Sequence, residues 1–225
     1  MSNFILTGLF TEGTTDDRFL ISVIERTLEE VAFDCTGDIE TRVESISINK
    51  KNLNFNEQVL KASQEAVTKF GVLLLFVHTD SDDFTDSVIF ESKIVPAQEI
   101  LLKQSTDMFC IHMVAVVPIH MTESWMIADR DLLKTELGID KTDAELGINQ
   151  NPENFNDPKQ TIEEIIRLSK EGNTKRKRGK GVQIADLYQI IGQKVELREL
   201  EKLSSYVKFK NSLIEKLKEL NFYHL

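Results

Sequence analysis

Carboxylates placed where hydrophobic runs end are the residues of this chain best suited to chemistry. Glu12-Gly13 follows FILTGLF, Asp80-Ser81-Asp82-Asp83 follows GVLLLFVHT, and Glu123 lies in VPIHMTESWMIAD just after a further apolar run. A carboxylate immediately beyond a buried strand stands at the edge of a sheet, and residues two apart can both turn toward one ion. In an open α/β sheet ligands bind beyond the carboxyl ends of the strands, so acids from separate strands can converge there. A few carboxylates completed by water and phosphate oxygens make a site for Mg2+. Phosphate chemistry is the expectation. Each acid also has a plainer role when taken singly: Asp82 or Asp83 as a helix N-cap, Glu12 as a solvated turn residue.

The elements that must position these acids read as an alternation of strands and helices. Residues 4–10 suit a strand, and Phe19, Leu20, Val23, Ile24, Leu28 and Val31 then recur at helical spacing over 14–31. Glu12 falls in the turn between them, where Gly13 eases the sharp exit and Thr15 with Asp16 or Asp17 is expected to cap the helix. Strands follow at 42–48, 72–77 and 111–117, and helices at 55–70 and 89–102, with Gly71 as a stop and Pro96 as a kink or a second start. Helix-length connections between strands favour a mostly parallel, Rossmann-like α/β sheet of about four strands flanked by helices. Beyond Pro118 the pattern is helical at 121–137, loop-like at 138–158, and helical again at 161–168, 182–191 and 195–220. The implied organisation is an α/β core over 1–137, a loop over 138–160, and a helical C-terminal part over 161–225 packing on the core.

The 225 residues suffice for one substantial core, and 41% hydrophobic with 28% charged residues excludes a disordered or fibrous chain. The start has no basic n-region, and no uncharged run reaches the roughly 18 residues of a membrane span, so a cytoplasmic protein with no membrane partner is expected. Cys35 and Cys110 lack CxxC spacing and read as buried small hydrophobes. Net charge is −10, yet Lys175, Arg176, Lys177, Arg178 and Lys180 concentrate five cations in one segment. A focused basic element engages phosphates through local contacts and counterion release, whatever the global charge. It is expected as an exposed loop near the acidic edge, with a solvated or partner-binding loop as the alternative.

His78, His112, His120 and His224 are not spaced as a metal pair, and His78 reads as a hydrogen-bonded strand-end residue close to the acids. Trp125 reads as a core or groove aromatic. Asp80, Asp82, Asp86 and Glu91 fit positions 1, 3, 7 and 12 of a calcium loop, but Phe84 and Thr85 occupy positions 5 and 6. Phe84 also stands where a haloacid-dehalogenase phosphatase needs Thr or Val. No GxSxG, Walker A or GxGxxG sequence occurs, which leaves nucleotide hydrolysis by this chain unsupported.

Glu12-Gly13-x-x-Asp16 on the first strand-turn-helix, followed by a strand ending in Asp80-x-Asp82, resembles the Toprim domain of topoisomerases, bacterial primases, OLD-family nucleases and small maturation ribonucleases. The segment 118–129, with Glu123-Ser-Trp125 and Ala128-Asp129, further resembles small Toprim-like proteins encoded beside ABC-type ATPases in bacterial defence loci. The resemblance covers most of the chain. It implies a Toprim-type nuclease dependent on Mg2+ or Mn2+, with Glu12 as metal ligand or general acid/base, Asp80 and Asp82 as ligands, and Glu123 as an additional ligand. Because Phe84 cuts short an Asp-x-Asp-x-Asp pattern, a second ion would rely on Glu123, Asp16 or Asp83. Among the cations of the basic segment, Lys180, Lys177 or Arg178 would neutralise transition-state charge, as a lysine does in OLD-type nucleases. The implied partners are nucleic acid (DNA or RNA, tRNA included), an ABC-type ATPase subunit and a second copy of the chain. The rival expectation is a non-catalytic Toprim-like subunit that docks on an ATPase or nucleic acid; residues 195–220 could be its docking face, although a helix closing the core is the plainer reading of that segment.

Overall fold

The structure is a computed structural model of the chain, described for residues 3–37, 39–172 and 182–223. Four strands, β1 (Asn3–Phe10), β2 (Ile39–Ser45), β3 (Leu74–His78) and β4 (Met113–Val116), form an all-parallel sheet in the order β2-β1-β3-β4. Leu9 lies opposite Ser45, Phe10 opposite Val77, and His78 opposite Val116, so all four strands point their carboxyl ends the same way. β2 is laid on one side of β1, and β3 and β4 on the other. The chain therefore changes direction between β1 and β3, and a crevice opens where their carboxyl ends diverge.

Connecting helices cover the two faces. α1 (Thr14–Ala32) joins β1 to β2, and α2 (Phe55–Glu65), continued by a π-turn at Ala66–Phe70, leads to β3. Between β3 and β4 run α3 (Ser87–Ile89), a π-turn at Phe90–Ile94 and α4 (Val95–Leu101). Alternate β3 residues serve opposite faces: Leu74 and Phe76 pack with α1 in one core cluster, Leu75 and Val77 with α2 and α4 in the other. A strand buried on both faces reads as a continuous apolar run, and β3 does. Gly71 stops the second helix in the left-handed conformation, at φ 71°. Pro96, which has no N–H to give the preceding turn, sits just beyond the Phe90–Ile94 π-turn and starts the next stretch of α-helix.

The remaining helices are α5 (Thr122–Met126), α6 (Arg130–Leu137), α7 (Pro158–Gly172), α8 (Ile184–Lys194), α9 (Leu197–Leu200) and α10 (Ser204–Glu219). Trp125, Ile162, Leu187, Tyr206, Phe209 and Leu213 join the cluster on the α1 face, so the C-terminal helices complete the sheet's core. At Gly192 an added Cβ would stand 2.5 Å from the Phe19 carbonyl oxygen, which is how closely α8 lies on α1. No helix among the described residues is long and apolar enough to cross a membrane.

Several expectations are corrected. β2 lies three residues earlier than its alternation suggests. The helix expected at 121–137 is two, because the Asp129 carboxylate accepts from Leu132 N–H at 3.0 Å as a new N-cap and from Glu196 N–H at 3.2 Å. The helix expected at 195–220 is also two. There Glu153, in a 3-10 turn of the presumed loop, accepts from the backbone N–H and hydroxyl of both Ser204 and Ser205 at 2.6–3.0 Å and starts α10 afresh. α1 has Gly13 as N-cap and no side-chain cap. Cys110 is buried as expected, but Cys35 is only half-buried.

Candidate active site

The turn after β1 is built by side chains that hold its backbone and leave Glu12 free to project. Thr11 Oγ1 donates to Asp17 Oδ1 at 2.6 Å, and Ser45 Oγ, from the end of β2, donates to Asp17 Oδ2 at 2.7 Å. Lys50 Nζ donates to the Thr11 and Glu12 carbonyls at 2.6 and 2.7 Å. Asp17 is thereby consumed in structure. The Glu12 carboxylate, 41% exposed, meets Lys93 Nζ at 3.2 Å, and the same ammonium donates to Thr79 Oγ1 at 3.1 Å.

The turn after β3 is clamped to the start of α5. His78, fully buried at the strand's end, places Nε2 3.2 Å from Asp80 Oδ1 and 3.1 Å from Thr122 Oγ1, while Thr122 N–H donates to Asp80 Oδ1 at 3.0 Å. The next residue, Glu123, is buried and accepts a short hydrogen bond from the Tyr188 hydroxyl of α8. Since α8 rests on α1 through Gly192, and the first turn of α1 carries Asp16, three strand exits and two helices frame one crevice.

The acids within it feel one another. Burial pushes the Asp16 carboxyl above the usual range, and the Asp80 charge adds to the rise while His78 opposes it. Glu123 is raised by burial and by Asp80, against the hydrogen bond from Tyr188. For His78 burial works against the charged ring, but the hydrogen bond to Asp80 and the charges of Asp80, Asp16 and Glu12 prevail and push it up. Tyr188 is pushed up by burial, by Glu123, and by Asp16 and Asp80. Lys50 is lowered by burial although Glu12, Asp17 and Asp16 pull the other way. Crowded carboxylates disfavour one another's ionisation, and a cation relieves this.

As they stand, no three His, Cys, Asp or Glu side chains among the described residues are grouped to hold an ion. Each acid is engaged by its own donor: Glu12 by Lys93, Asp80 by Thr122 and Glu123 by Tyr188. Clefts of about 580 and 590 Å3 lie elsewhere, beside Arg130 and Lys202 and along the outer edge of β4.

A family model described as a domain of unknown function, DUF4276, matches residues 11–202. The chain belongs to that family. No curated protein and no solved structure matches it. The DUF4276 match runs from the turn that carries Glu12 through α9, and so contains every residue of the crevice.

Of the acids singled out in the sequence, the structure brings Glu12, Asp16, Asp80 and Glu123 to this DUF4276 crevice. Asp82 is not among them. It is exposed, adopts a left-handed φ of 54°, gives its N–H to the His120 carbonyl, and enters none of the interactions above. Asp83 shapes the same turn, with Oδ1 accepting from Phe84 N–H at 2.7 Å, and Asp86 of the apparent calcium spacing pairs with Lys208. Lys175, Arg176, Lys177, Arg178 and Lys180 lie outside the described residues. Lys50, Lys93, Thr122 and Tyr188 went unnoticed in the sequence. Tyr188 stands on the apolar stripe of an amphipathic helix, where nothing local separates a core tyrosine from one that holds a carboxylate.

Proposed function

We propose that this crevice is the site of a metal-dependent phosphodiesterase acting on nucleic acid, the activity that the Toprim resemblance implies. The observation that carries the reading is the convergence of Glu12, Asp80 and Glu123 from the carboxyl ends of β1, β3 and β4, with Asp16 beside them. The donor set is all hard carboxylate oxygen, mutually repelling and partly exposed, which suits Mg2+ or Mn2+ better than a softer ion. Glu12, Asp80, Glu123 and Asp16 would hold the metal, once Glu12 turns from Lys93 and the other carboxylates close on the ion. When bound, it polarises a phosphate oxygen and lowers the pKa of an attacking water.

The chain's own residues supply orientation. Thr122 and His78 together hold Asp80 Oδ1, and Tyr188 holds Glu123, so two would-be ligands are oriented before substrate arrives. Outer partners of this kind raise metal affinity by about 10- to 100-fold. The basic segment 175–180 would supply phosphate contacts, with Lys180 proposed as its catalytic cation. From the resemblance, the enzyme would act in the cytoplasm as the effector of an anti-phage system, under control of an ABC-type ATPase.

The separate engagement of each acid favours a second reading, a subunit that binds an ATPase or nucleic acid through this edge and cleaves nothing. Cleavage assays on plasmid, single-stranded DNA and total tRNA with Mg2+ or Mn2+, with and without an ATPase partner, separate the two. The enzyme reading expects cleavage that Asp80→Asn and Glu12→Gln abolish. It also expects Mn2+ at about 100 times its Kd to stabilise the parent by about 2.7 kcal/mol and Glu12→Gln far less. Metal binding without turnover on any substrate would leave the docking reading.

A further inference from the structure

Lys93 is the one lysine whose ammonium touches a crevice carboxylate among the described residues, and its placement depends on an irregularity of the backbone. It lies in the π-turn Phe90–Ile94, where an extra residue per turn rotates the helix surface relative to a regular α-helix. Such turns recur at functional sites. The side chain passes Phe55, with Nζ 5.4 Å from the ring centroid, and ends 3.2 Å from Glu12 Oε1 and 3.1 Å from Thr79 Oγ1. An ammonium has three N–H donors. Two are used, and the head group remains partly exposed, at 29% for the side chain. Lys50, by contrast, spends its donors on two backbone carbonyls, and its role is to hold the turn.

We propose that Lys93 is an exchangeable counter-ion. In the metal-free protein its ammonium neutralises Glu12; when a divalent cation takes Glu12, the ammonium is released to bind a phosphate oxygen of the substrate. Resting on the phosphodiesterase reading, this places a phosphate-binding cation at the crevice itself, on the helix after β3, in addition to any contacts from the basic segment. The exchange conserves charge: one cation leaves the carboxylate as another arrives, and the displaced one meets the anion that the metal also attracts. Thr79, next to Asp80, holds the ammonium at the crevice here and would keep it there after the exchange.

The test uses Lys93→Met, which keeps the apolar stem, and Lys93→Arg, which keeps the charge. Mn2+ affinity is measured by calorimetry without substrate. Because partly exposed ion pairs are weak, removal of the competing ammonium should tighten Mn2+ by about two- to five-fold in Lys93→Met and leave Lys93→Arg near the parent. Binding of a short labelled single-stranded oligonucleotide in Ca2+ should lose roughly 0.7 from its log–log salt slope in Lys93→Met. Unchanged Mn2+ affinity or an unchanged salt slope overturns the proposal. Both readouts are independent of turnover, so a parent that binds but never cleaves sinks the phosphodiesterase reading alone. A parent that cleaves while Lys93→Met cleaves equally well sinks the role of Lys93 alone.

Discussion

At the scale of single residues the crevice is a set of carboxylates whose hydrogen-bond donors decide what they can do. Glu123 is the extreme case, 5% exposed, with the Tyr188 hydroxyl as its donor. A buried acceptor that loses its partner carries the full cost of desolvation, about 1–3 kcal/mol. Tyr188→Phe should therefore lower unfolding stability by that amount in urea at neutral pH. Glu123→Gln should not, because the amide oxygen still accepts from Tyr188 and the repulsion with Asp80 is gone. In a Glu123→Met background, where no acceptor is left to strand, Tyr188→Phe should cost far less, a coupling that a cycle of Tyr188→Phe and Glu123→Met measures directly. Independent, additive effects would show that the hydroxyl does not hold Glu123.

At the scale of elements, the positions of the acids follow from strands whose apolar runs are plain in the sequence. FILTGLF and VLLLFVH announce β1 and β3, and a parallel sheet then fixes Glu12 and Asp80 at one edge. Glu123 was legible for the same reason, as the residue after β4 and its short turn. What was not legible depends on contacts distant in sequence. Glu153 interrupts an unbroken leucine pattern at 195–220 because it meets Ser204 and Ser205 from about fifty residues away, and no local propensity encodes that meeting. Asp82 and Asp80 look alike in sequence, and only the turn that the loop makes with His120 sends Asp82 outward. The packing of α8 on α1 is similarly long-range, and it is what brings Tyr188 over the crevice. Gly192→Ala would set a methyl 2.5 Å from the Phe19 carbonyl, where neither backbone can yield without shifting a helix. Overpacking of this kind costs about 1–3 kcal/mol. The variant should lose that stability in denaturant titration and also bind Mn2+ more weakly than the parent. A stability loss with Mn2+ affinity intact would show that α8 does not position the site.

At the scale of the whole molecule, the proposed activity would require a chain of net charge −10 to bring a polyanion to a crevice of carboxylates. A bound metal would neutralise the crevice itself but not the rest of the surface, so under that proposal long-range attraction would have to come from concentrated cations. The segment with Lys175, Arg176, Lys177, Arg178 and Lys180 holds five of the chain's 27 lysines and arginines within six residues. If those side chains track the nucleic-acid backbone, each contact releases counterions, and the logarithm of affinity falls with the logarithm of salt by roughly 0.7–0.9 per contact. Replacing Lys175, Arg176 and Lys177 together with Ala should weaken binding most at low salt and flatten the slope by roughly 2–3 units if all three touch phosphate. Lys93→Met should subtract a single contact, and combining it with the triple variant should add the two reductions, since separate phosphates are involved. An unchanged slope in the triple variant, with binding to an ATPase partner lost instead, would assign the segment to that partner and leave the crevice to recruit nucleic acid through its metal and Lys93.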